Sequence, residues 1–586
     1  MAVNPQNVWI RINQVGYLPD DIKVAVLISS EQKTSGSFKV IDAATGKVVL
    51  KSKGVAADAS KWALQSAWRL DFSAVTAEGN YYIESNGAKS PILHIDSNCY
   101  DGMADRLMIY MRQQRCGDNP FHNKLCHQND GYVVYHPTKN GQHIDVRGGW
   151  HDANDCLQYM TTSSTSIYHM AFAYKFTDDK SIFKDEFDAA ARPGANGIPD
   201  IVDEVMWGLD WLDRMNPAPK EMYYQIGDDR DHKGYGAPYQ DNVDYGYGPG
   251  EGRPVYFVSG EPQVTWKKTG KVNRTTGVSS AAGKFASTFA LGADVIEQWY
   301  PEFAKKIRDK VKSAYDFALE KPGNTQTACV VSPYFYEEET YYDDIELAAA
   351  TMYSLTGEDY WKNQASYWGE MEPVSPWIEK GRGPGKVYHH YQWYPFINLG
   401  HFLLASGPDK EIGGEFAGYM KQGLLDIRER AVEDPFMNGV PYLWCSNNIT
   451  SAAVTQAQLY RRATGDGQFR EMEAALRDWL LGCNPWGCTM LSGFPEKMEE
   501  GYHNPTESSS GMRGVAGGLV DGPIYPDIYG DRIGVHLTRE DLFEKFNRGE
   551  AVYHDDRGDY SSNEPTIDGT ASLAYYFASL EAESHK

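Results

Sequence analysis

The segment DVRGGWHDANDCLQYM (145–160) places two aspartates, Asp152 and Asp155, three positions apart behind Gly-Gly-Trp. Carboxylates this close repel each other, so a purely structural segment has little reason to contain both. If the turn between them is helical, their Cβ atoms lie about 5–6 Å apart. Two such acids could share one nucleophilic water. The alternative is that one of them caps the helix predicted in LQYMTTSSTSIYHMAFAY.

A third acid, Glu564, lies in the C-terminal segment YHDDRGDYSSNEPTIDG. Pro565 suits the first position of a helix, which predicts Glu564 at or just before the N-cap. Capping is again the alternative, although SSNEPT already offers Ser and Asn for that purpose. Hydrolysis of a glycosidic bond needs one carboxylic acid to protonate the leaving oxygen and one carboxylate to activate water or attack. A helix dipole lowers a carboxyl pKa, so burial and neighbouring acids must raise it if Glu564 donates the proton.

Cysteines and histidines cluster immediately before the paired aspartates, in QRCGDNPFHNKLCHQND and at the residue preceding Asp152. The candidate metal ligands are Cys116, Cys126, His127 and His151. Two thiolates and two imidazoles satisfy a tetrahedral structural zinc ion. The spacing is not a zinc-finger signature, so buried thiols and a surface imidazole are the alternative. His122 and His143 are rival ligands.

Composition restricts the classes of partner. The formal net charge of −24 argues against nucleic acid and anionic lipid, which need a basic face. The 15 Trp and 39 Tyr residues suit neutral sugars, whose C–H faces stack on aromatic rings. Eight cysteines are too sparse for a disulfide scaffold. The sequence contains no apolar run near the roughly 20 residues of a membrane span, and MAVNPQNVWIRINQ is not a cleavable signal.

The spacing of apolar residues divides the chain into two regions. Residues 8–95 contain short alternating runs such as KVAVLIS, with DAATGK as a hairpin turn, and predict a β-sandwich. From Tyr100 the apolar spacing becomes helical. We therefore predict a sandwich domain at 1–97 and a mainly helical domain at 98–586. SLTGEDYW and RATGDGQF both place Thr-Gly-acid between two helices, which indicates a toroid or solenoid of helical hairpins. The long loops 226–276 and 487–535 predict a cleft on one rim.

Several motifs together resemble one family. DVRGGWHDANDCLQY resembles the D-x-x-G-G-W-[HY]-D-A-G-D segment of glycoside hydrolase family 9, and DDRGDYSSNE resembles its D-x-x-x-D-Y-x-x-N-E. NGIPDIVDEVMWGLDWLDRM and LLGCNPWGCTMLSGFP match its helical and Asn-Pro motifs. IRINQVGYLP resembles the opening of its N-terminal immunoglobulin-like domain. These matches span nearly the whole chain in the family's order.

The resemblance implies a mainly α fold, an (α/α)6 barrel with an open cleft, preceded by a small all-β immunoglobulin-like sandwich. It implies cleavage of β-1,4-glucans with inversion. By motif position Asp155 is the general base, Asp152 helps to hold the water, and Glu564 is the general acid. Asn154 replaces the family's glycine between the aspartates, a conservative change because Asn tolerates left-handed backbone.

The resemblance also implies further site residues. The predicted sugar contacts are His503, Tyr560, Trp444 and Arg513. The family's aromatic residue five positions after the acid is Gly569 here, which removes one sugar contact. Some members with the immunoglobulin-like domain carry zinc on a Cys…Cys-His group plus the His of W-H-D, and the resemblance therefore favours a structural zinc ion. Acidic calcium ligands of the family fall in TTGVSSAAGKFAS, where Lys284 weakens the case for calcium.

The leading hypothesis is a secreted or cell-surface endo-β-1,4-glucanase acting as a monomer on β-glucan, without nucleic acid or a membrane span. Rivals on the same scaffold are an exo-acting glucosidase or glucosaminidase and a mixed-linkage glucan or xyloglucan hydrolase. From other classes, a zinc-dependent hydrolase would use the Cys/His group, and a carbohydrate-binding protein would lack catalysis. Retention of all three acids argues against the last.

Overall fold

The computed structural model describes residues 4–232, 236–266, 270–331, 337–374, 396–506, 514–530 and 535–586. The N-terminal part is all β. Its strands are β1 (Val8–Arg11), β2 (Val24–Ser29), β3 (Ser37–Asp42), β4 (Val48–Lys53), β5 (Val55–Ala57), β6 (Ser66–Asp71), β7 (Gly79–Ser85), β8 (Ala88–Lys89) and β9 (Leu93–Ile95).

These strands form two sheets, β1-β2-β6-β5 and β4-β3-β7-β8, with β9 on β7. Every strand pair within them is antiparallel. Alternate side chains, such as Val8 and Ile10 of β1 and Val40 of β3, are buried in a common core between the sheets. The DAATGK turn joins β3 to β4, as predicted, with Asp42 N–H donating to Lys47 O at 2.9 Å. The sandwich is confirmed.

The remainder is mainly helical. Its helices are α1 (Met103–Gln113), α2 (Met160–Phe176), α3 (Asp200–Arg214), α4 (Ser279–Ile296), α5 (Pro301–Glu320), α6 (Tyr342–Thr356), α7 (Asp359–Gly369), α8 (Phe396–Ala405), α9 (Lys410–Ala431), α10 (Ser446–Thr464), α11 (Arg470–Leu480), α12 (Pro526–Gly530), α13 (Ile567–Ser572) and α14 (Ala574–Ser584). Gly357 and Gly465, at φ of 71° and 75°, end α6 and α10 in the left-handed conformation, as predicted. The acid that follows opens the next helix in one case only: Glu358 is the N-cap of α7, whereas α11 begins at Arg470 with Phe469 as N-cap, beyond Asp466.

The helices close into two concentric rings. In the inner ring, α2 packs on α4, α4 on α6, α6 on α8, α8 on α10, α10 on α13, and α13 again on α2. Each inner helix also packs on an outer partner, as α4 does on α5 and α6 on α7. The inner helices are buried nearly all round: in α4, positions 279–293 are all buried. This arrangement is the (α/α)6 barrel that the family resemblance implied.

The loops at one end of the barrel carry the motif residues. Asp152 and Asp155 precede α2, Cys445 is the N-cap of α10, and Glu564 precedes α13. The N-terminal ends of these three inner helices therefore lie at one rim. A mixed sheet of β12 (Tyr132–Val134), β15 (Pro254–Phe257), β14 (Tyr223–Ile226) and β13 (Gln158–Tyr159) braces this rim, beside the hairpins β10–β11 (Asp118–Asn119, Lys124–Leu125) and β16–β17 (Val264–Trp266, Lys271–Val272).

The two domains share a core. Trp62, in a single turn of 3-10 helix of the sandwich domain, is fully buried among aromatic rings of the helical domain. Its ring centroid lies 5.7 Å from those of Trp486 and Tyr442. Polar contacts frame this junction: Asn13 Nδ2 donates to Asp478 Oδ1 at 2.9 Å. The predicted division at 97/98 lies between β9 and α1.

Two local predictions were wrong. Helix α2 begins at Met160 with Tyr159 as N-cap, so neither Asp152 nor Asp155 caps it. The turn between these aspartates is a run of bends rather than a helical turn. Helix α13 begins at Ile567 and is capped by the Thr566 side chain, so Pro565 is not its first residue and Glu564 does not cap it. The three acids are therefore not accounted for by helix capping. In the described residues, no helix is long and apolar enough to cross a bilayer.

Candidate active site

Asp152 is fully buried beneath the rim. Its carboxylate accepts a short hydrogen bond from Thr162 Oγ1 on α2. Its backbone N–H donates to Leu157 O at 2.8 Å, and its carbonyl accepts from Ile567 N of α13 at 3.1 Å. Asp152 therefore links the loop before α2 to the start of α13, which follows Glu564.

Asp155 lies within a charged triad on the cleft side of the same loop. Its Oδ1 accepts from Leu157 N at 2.9 Å, and its Oδ2 lies 3.6 Å from His232 Nε2. His232 Nδ1 in turn lies 2.7 Å from Asp231 Oδ1. Burial and the charge of Asp231 raise the pKa of Asp155 to about 7, against the opposing effect of His232. Partial burial would lower the pKa of His232, but Asp231 and Asp155 together raise it to about 10.

Glu564 faces this triad. Its Oε1 accepts a hydrogen bond from Asn154 N at 3.0 Å, between the two aspartates. Burial raises the pKa of Glu564 well above its usual value, and the charges of Asp521 and Asp155 raise it further. Two carboxyl groups whose pKa is raised, those of Asp155 and Glu564, therefore lie near each other at this rim, with His232 beside Asp155. Acid–base hydrolysis of an acetal requires a proton donor and a proton acceptor, and two neighbouring carboxyl groups are able to supply both.

Two of the predicted sugar contacts lie beside the acids. The ring centroids of Trp444 and Tyr560 are 5.8 Å apart at an interplanar angle of 36°. Trp444 Nε1 donates to Asp521 Oδ2 at 2.8 Å. Both rings are half-buried. Tyr560 lies shortly before Glu564, and Trp444 lies directly before Cys445, the N-cap of α10. They provide an aromatic wall of the kind on which sugar rings stack.

The other two predicted contacts have different positions. His503 Nε2 lies 2.9 Å from Asp555 Oδ2, and its ring packs edge-on against Phe543 at 5.2 Å. Asp555 belongs to the same segment as Glu564, so His503 lies on the wall that supports this segment. Arg513 falls outside the described residues.

The four predicted metal ligands converge. Their candidate ligand atoms lie within 4.8 Å of one another. Nδ1 of His127 is 3.6 Å from Cys116 Sγ and 3.3 Å from His151 Nε2. A tetrahedral zinc site with about 2.3 Å to sulfur and 2.0–2.1 Å to nitrogen has edges of roughly 3.5 and 3.3 Å for these pairs. The residues fit the ion in geometry and in donor type. His122 and His143 lie outside this group.

Groups around this cluster are oriented toward its ligands. His127 Nε2 lies 3.1 Å from Asp241 Oδ2, and Gly117 N donates to Cys126 Sγ at 3.3 Å. The buried Arg253 guanidinium contacts Cys116 Sγ at 3.6 Å and also donates to the carbonyl of Cys156, next to Asp155. Such contacts fix the orientation of ligands. They also connect the cluster to the loop of the paired aspartates.

Lys284 occupies the region where the family resemblance suggested calcium ligands. Its buried ammonium donates to Asp344 Oδ1 at 2.6 Å and to Glu338. Charges of Asp344 and Glu338 outweigh burial and keep the pKa of Lys284 above its usual value. The positive charge between these acids is supplied by the chain itself.

Sequence reasoning missed Asp231, His232 and Asp521. The length of the 226–276 loop indicated function, but the residue types in GDDRDH do not show which acid faces Asp155. Asp521 lies between Val520 and Gly522 in LVDGP, where nothing local indicates a site. The signal for all three residues is their proximity across the fold.

A double ring of helices with carboxyl groups gathered at one rim is an arrangement suited to the hydrolysis of glycosidic bonds. The glycosyl hydrolase family 9 model matches residues 100–577, and the model of the cellulase N-terminal ig-like domain matches residues 6–90. The chain belongs to glycosyl hydrolase family 9.

Known proteins resemble the chain over almost its full length. A cellodextrinase of Butyrivibrio fibrisolvens is 23% identical over 97% of this chain and 99% of its own. A xyloglucan-specific endo-beta-1,4-glucanase of Bacteroides ovatus is 25% identical over 98% and 94%. A metagenome-derived family 9 endoglucanase structure, at 23% identity, matches with a TM-score of 0.75 over 99% of this chain and 100% of that one. A Zn-binding triple mutant of endoglucanase J30 matches at 20% identity with a TM-score of 0.73, over 96% and 99%.

Proposed function

We propose that the protein is an inverting endo-β-1,4-glucanase that cleaves cellulose-type or related β-glucans. The observation that carries this proposal is the placement at one rim of Asp155, 3.6 Å from His232 Nε2, and of Glu564, which accepts a hydrogen bond from Asn154 N between the two aspartates. Family membership and relatives that act on β-1,4-glucans support the substrate class. The aromatic wall of Trp444 and Tyr560 suits a neutral sugar ring.

In the proposed mechanism, the ionised Asp155 takes a proton from water as the water attacks the anomeric carbon. Glu564 gives its proton to the departing glycosidic oxygen as the bond to that carbon breaks. Asp152, held by Thr162, helps to orient the water. The charge that develops on the sugar ring is stabilised by the surrounding carboxylates. Asp155 ends the reaction protonated and Glu564 ends it ionised, and loss of a proton from Asp155 to solvent with uptake of one by Glu564 restores the starting states.

The product test combines two measurements in one time course on carboxymethylcellulose, mixed-linkage glucan and xyloglucan. Endo cleavage is expected to release a spread of oligosaccharides early and to reduce viscosity. Proton NMR of fresh product is expected to show the α-anomer, because delivery of water by a base about 6.5–9.5 Å from the acid inverts the centre. Release of glucose or glucosamine alone from chain ends would favour the exo rival. A β-anomer formed first would contradict the role of Asp155.

Substitution of His232 by Asn is expected to move the acidic limb of kcat/KM to higher pH. Asp155 accepts a proton only when ionised, and the imidazolium 3.6 Å away lowers its pKa. Without that charge the pKa of Asp155 rises further above about 7, so activity is lost earlier as the pH falls. The shift should be on the order of one unit. A pH series of kcat/KM measures it.

His585→Asn is the matched control, because His585 is also half-exposed and lies 3.1 Å from an aspartate, Asp101, outside the cleft. Its acidic limb should coincide with that of the native enzyme. Coincident limbs for His232→Asn and the native enzyme would remove His232 from the ionisation of Asp155.

We propose that Cys116, Cys126, His127 and His151 hold one structural zinc ion. The ligand atoms close a tetrahedron, so no position remains for a substrate, and the ion would supply rigidity rather than chemistry. We also propose that the enzyme is a monomer that acts outside the cell or at its surface, since a polymeric glucan does not enter the cell intact.

A further inference from the structure

Asp521 and Glu564 lie directly opposite each other on paired backbone segments. Val520 and Pro565 form an antiparallel bridge, and Asp521 N–H donates to Glu564 O at 2.8 Å. Residues directly opposite in an antiparallel pair project to the same face, with Cβ atoms about 4.5–5.5 Å apart. The backbone therefore places a second carboxyl group beside that of Glu564.

The hydrogen-bond donors of the two carboxyl groups differ. Asp521, 1% exposed, accepts from Trp444 Nε1 at 2.8 Å and from Cys445 Sγ at 3.2 Å. In the described part of the chain, the Glu564 carboxyl group has a hydrogen bond from Asn154 N at 3.0 Å. Two adjacent buried carboxyl groups cannot both ionise without a large penalty, so the pair shares a proton. The donors on Asp521 stabilise its anion, which leaves the proton on Glu564.

We propose that Asp521 is a positioning residue that holds the proton on Glu564 and that Trp444 and Cys445 keep the negative charge on Asp521. This inference rests on the proposed function, in which Glu564 is the acid. Asp521 need not touch the sugar to act. The indole N–H of Trp444 is committed to Asp521, so the ring offers the sugar its face rather than a hydrogen bond.

The electrostatic surroundings agree with this assignment. Burial raises the pKa of Asp521 to about 7, and the hydrogen bonds from Cys445 and Trp444 oppose that rise. Besides Asp521, the charged groups that face Glu564 are Asp155, which raises its pKa, and His232, which lowers it. Asp559 faces Asp521 from the segment before Glu564.

The test is the alkaline limb of kcat/KM, which reports deprotonation of the free enzyme's acid. Asp521→Asn keeps the shape of the side chain but removes the charge, so the pKa of Glu564 should fall and the limb should move to lower pH by on the order of one unit or more. Trp444→Phe removes one donor from Asp521, transfers part of the proton to Asp521, and should move the limb in the same direction by less. The position of the limb separates this effect from weaker sugar binding.

Asp434→Asn is the matched control. Asp434 is also buried and lies 3.4 Å from a tryptophan N–H, that of Trp62, at the domain junction. The alkaline limb of kcat/KM of the Asp434→Asn variant should coincide with that of the native enzyme. A native alkaline limb in Asp521→Asn overturns the proposal; if that variant fails to fold, a native limb in Trp444→Phe does so. Turnover retained in Glu564→Gln would instead reject the proposed function, whatever Asp521→Asn shows.

Discussion

Glu564→Gln is expected to lower kcat on an unmodified β-glucan by roughly 10²–10⁴-fold while leaving the fold intact. The amide keeps the hydrogen bond from Asn154 but has no proton to give to the leaving oxygen. Asp155→Asn should cause a loss of the same order, because the amide cannot accept the proton of the attacking water. Initial rates on a soluble glucan, with circular dichroism to verify folding, measure both losses.

The two roles separate by leaving group. The phenolate of an aryl glycoside with an acidic phenol leaves without protonation. Glu564→Gln should therefore recover much of its rate on that substrate, and Asp155→Asn should not. Asp152→Ala should be severe but leave more activity than Asp155→Asn, since Asp152 orients the water. Equal recovery by both variants would show that acid and base are assigned to the wrong residues, and near-native turnover on the glucan would discard the pair altogether.

Removal of the metal is the second large effect that we expect. Purified without chelator, the protein should contain one zinc ion per chain, and Cys126→Ser or strong chelation should lower Tm by on the order of 5 °C. The ion would tie the segment of Cys116 to His151, which adjoins Asp152. Because the ion binds to the folded state and not to the unfolded chain, its binding free energy adds to the free energy of unfolding. Elemental analysis and thermal melting test this directly.

Activity distinguishes a structural ion from a zinc hydrolase. At temperatures well below the lowered Tm, the chelated enzyme should keep a substantial part of its activity, because no step of the proposed reaction passes through the metal. Cys99→Ser serves as control, since Cys99 lies outside the cluster. Complete loss of activity on chelation, with Glu564→Gln still active, would support the zinc-hydrolase rival. Metal-free protein with an unchanged melting curve would return the four residues to ordinary packing.

Local sequence patterns predicted much of the secondary structure. Period-two alternation predicted the strands. Helical spacing with left-handed glycines predicted the helical hairpins whose first helices end at Gly357 and Gly465. Element boundaries were less secure. Pro565 suits a first helical position, yet the Thr566 hydroxyl bonds Gly569 N and begins the helix later. The side-chain cap of Thr566 sets that boundary, although Pro565 and Thr566 are both residue types that can begin a helix.

The candidate site divides in the same way. Asp152, Asp155 and Glu564 lie in motifs whose residue types are legible along the chain. Asp521 and His232 act on partners 43 or 77 positions away, Glu564 and Asp155 respectively, and only backbone pairing and loop packing bring them there. The ionisation of an acid depends on such neighbours. Sequence therefore indicated which groups could react, whereas the structure was needed to show which charged groups surround each of them.

The burial of Trp62 has a consequence for how the two domains can be inherited or exchanged. Truncating a buried tryptophan typically costs about 3–5 kcal/mol, and this one fills a space bounded by Trp486, Tyr442 and Phe436 of the other domain. The sandwich thus contributes a side chain to the core of the helical domain and is more than an attached module. Any replacement N-terminal domain would have to present a ring of the same size at the same place, which couples the evolution of the two segments although they lie in separate folds.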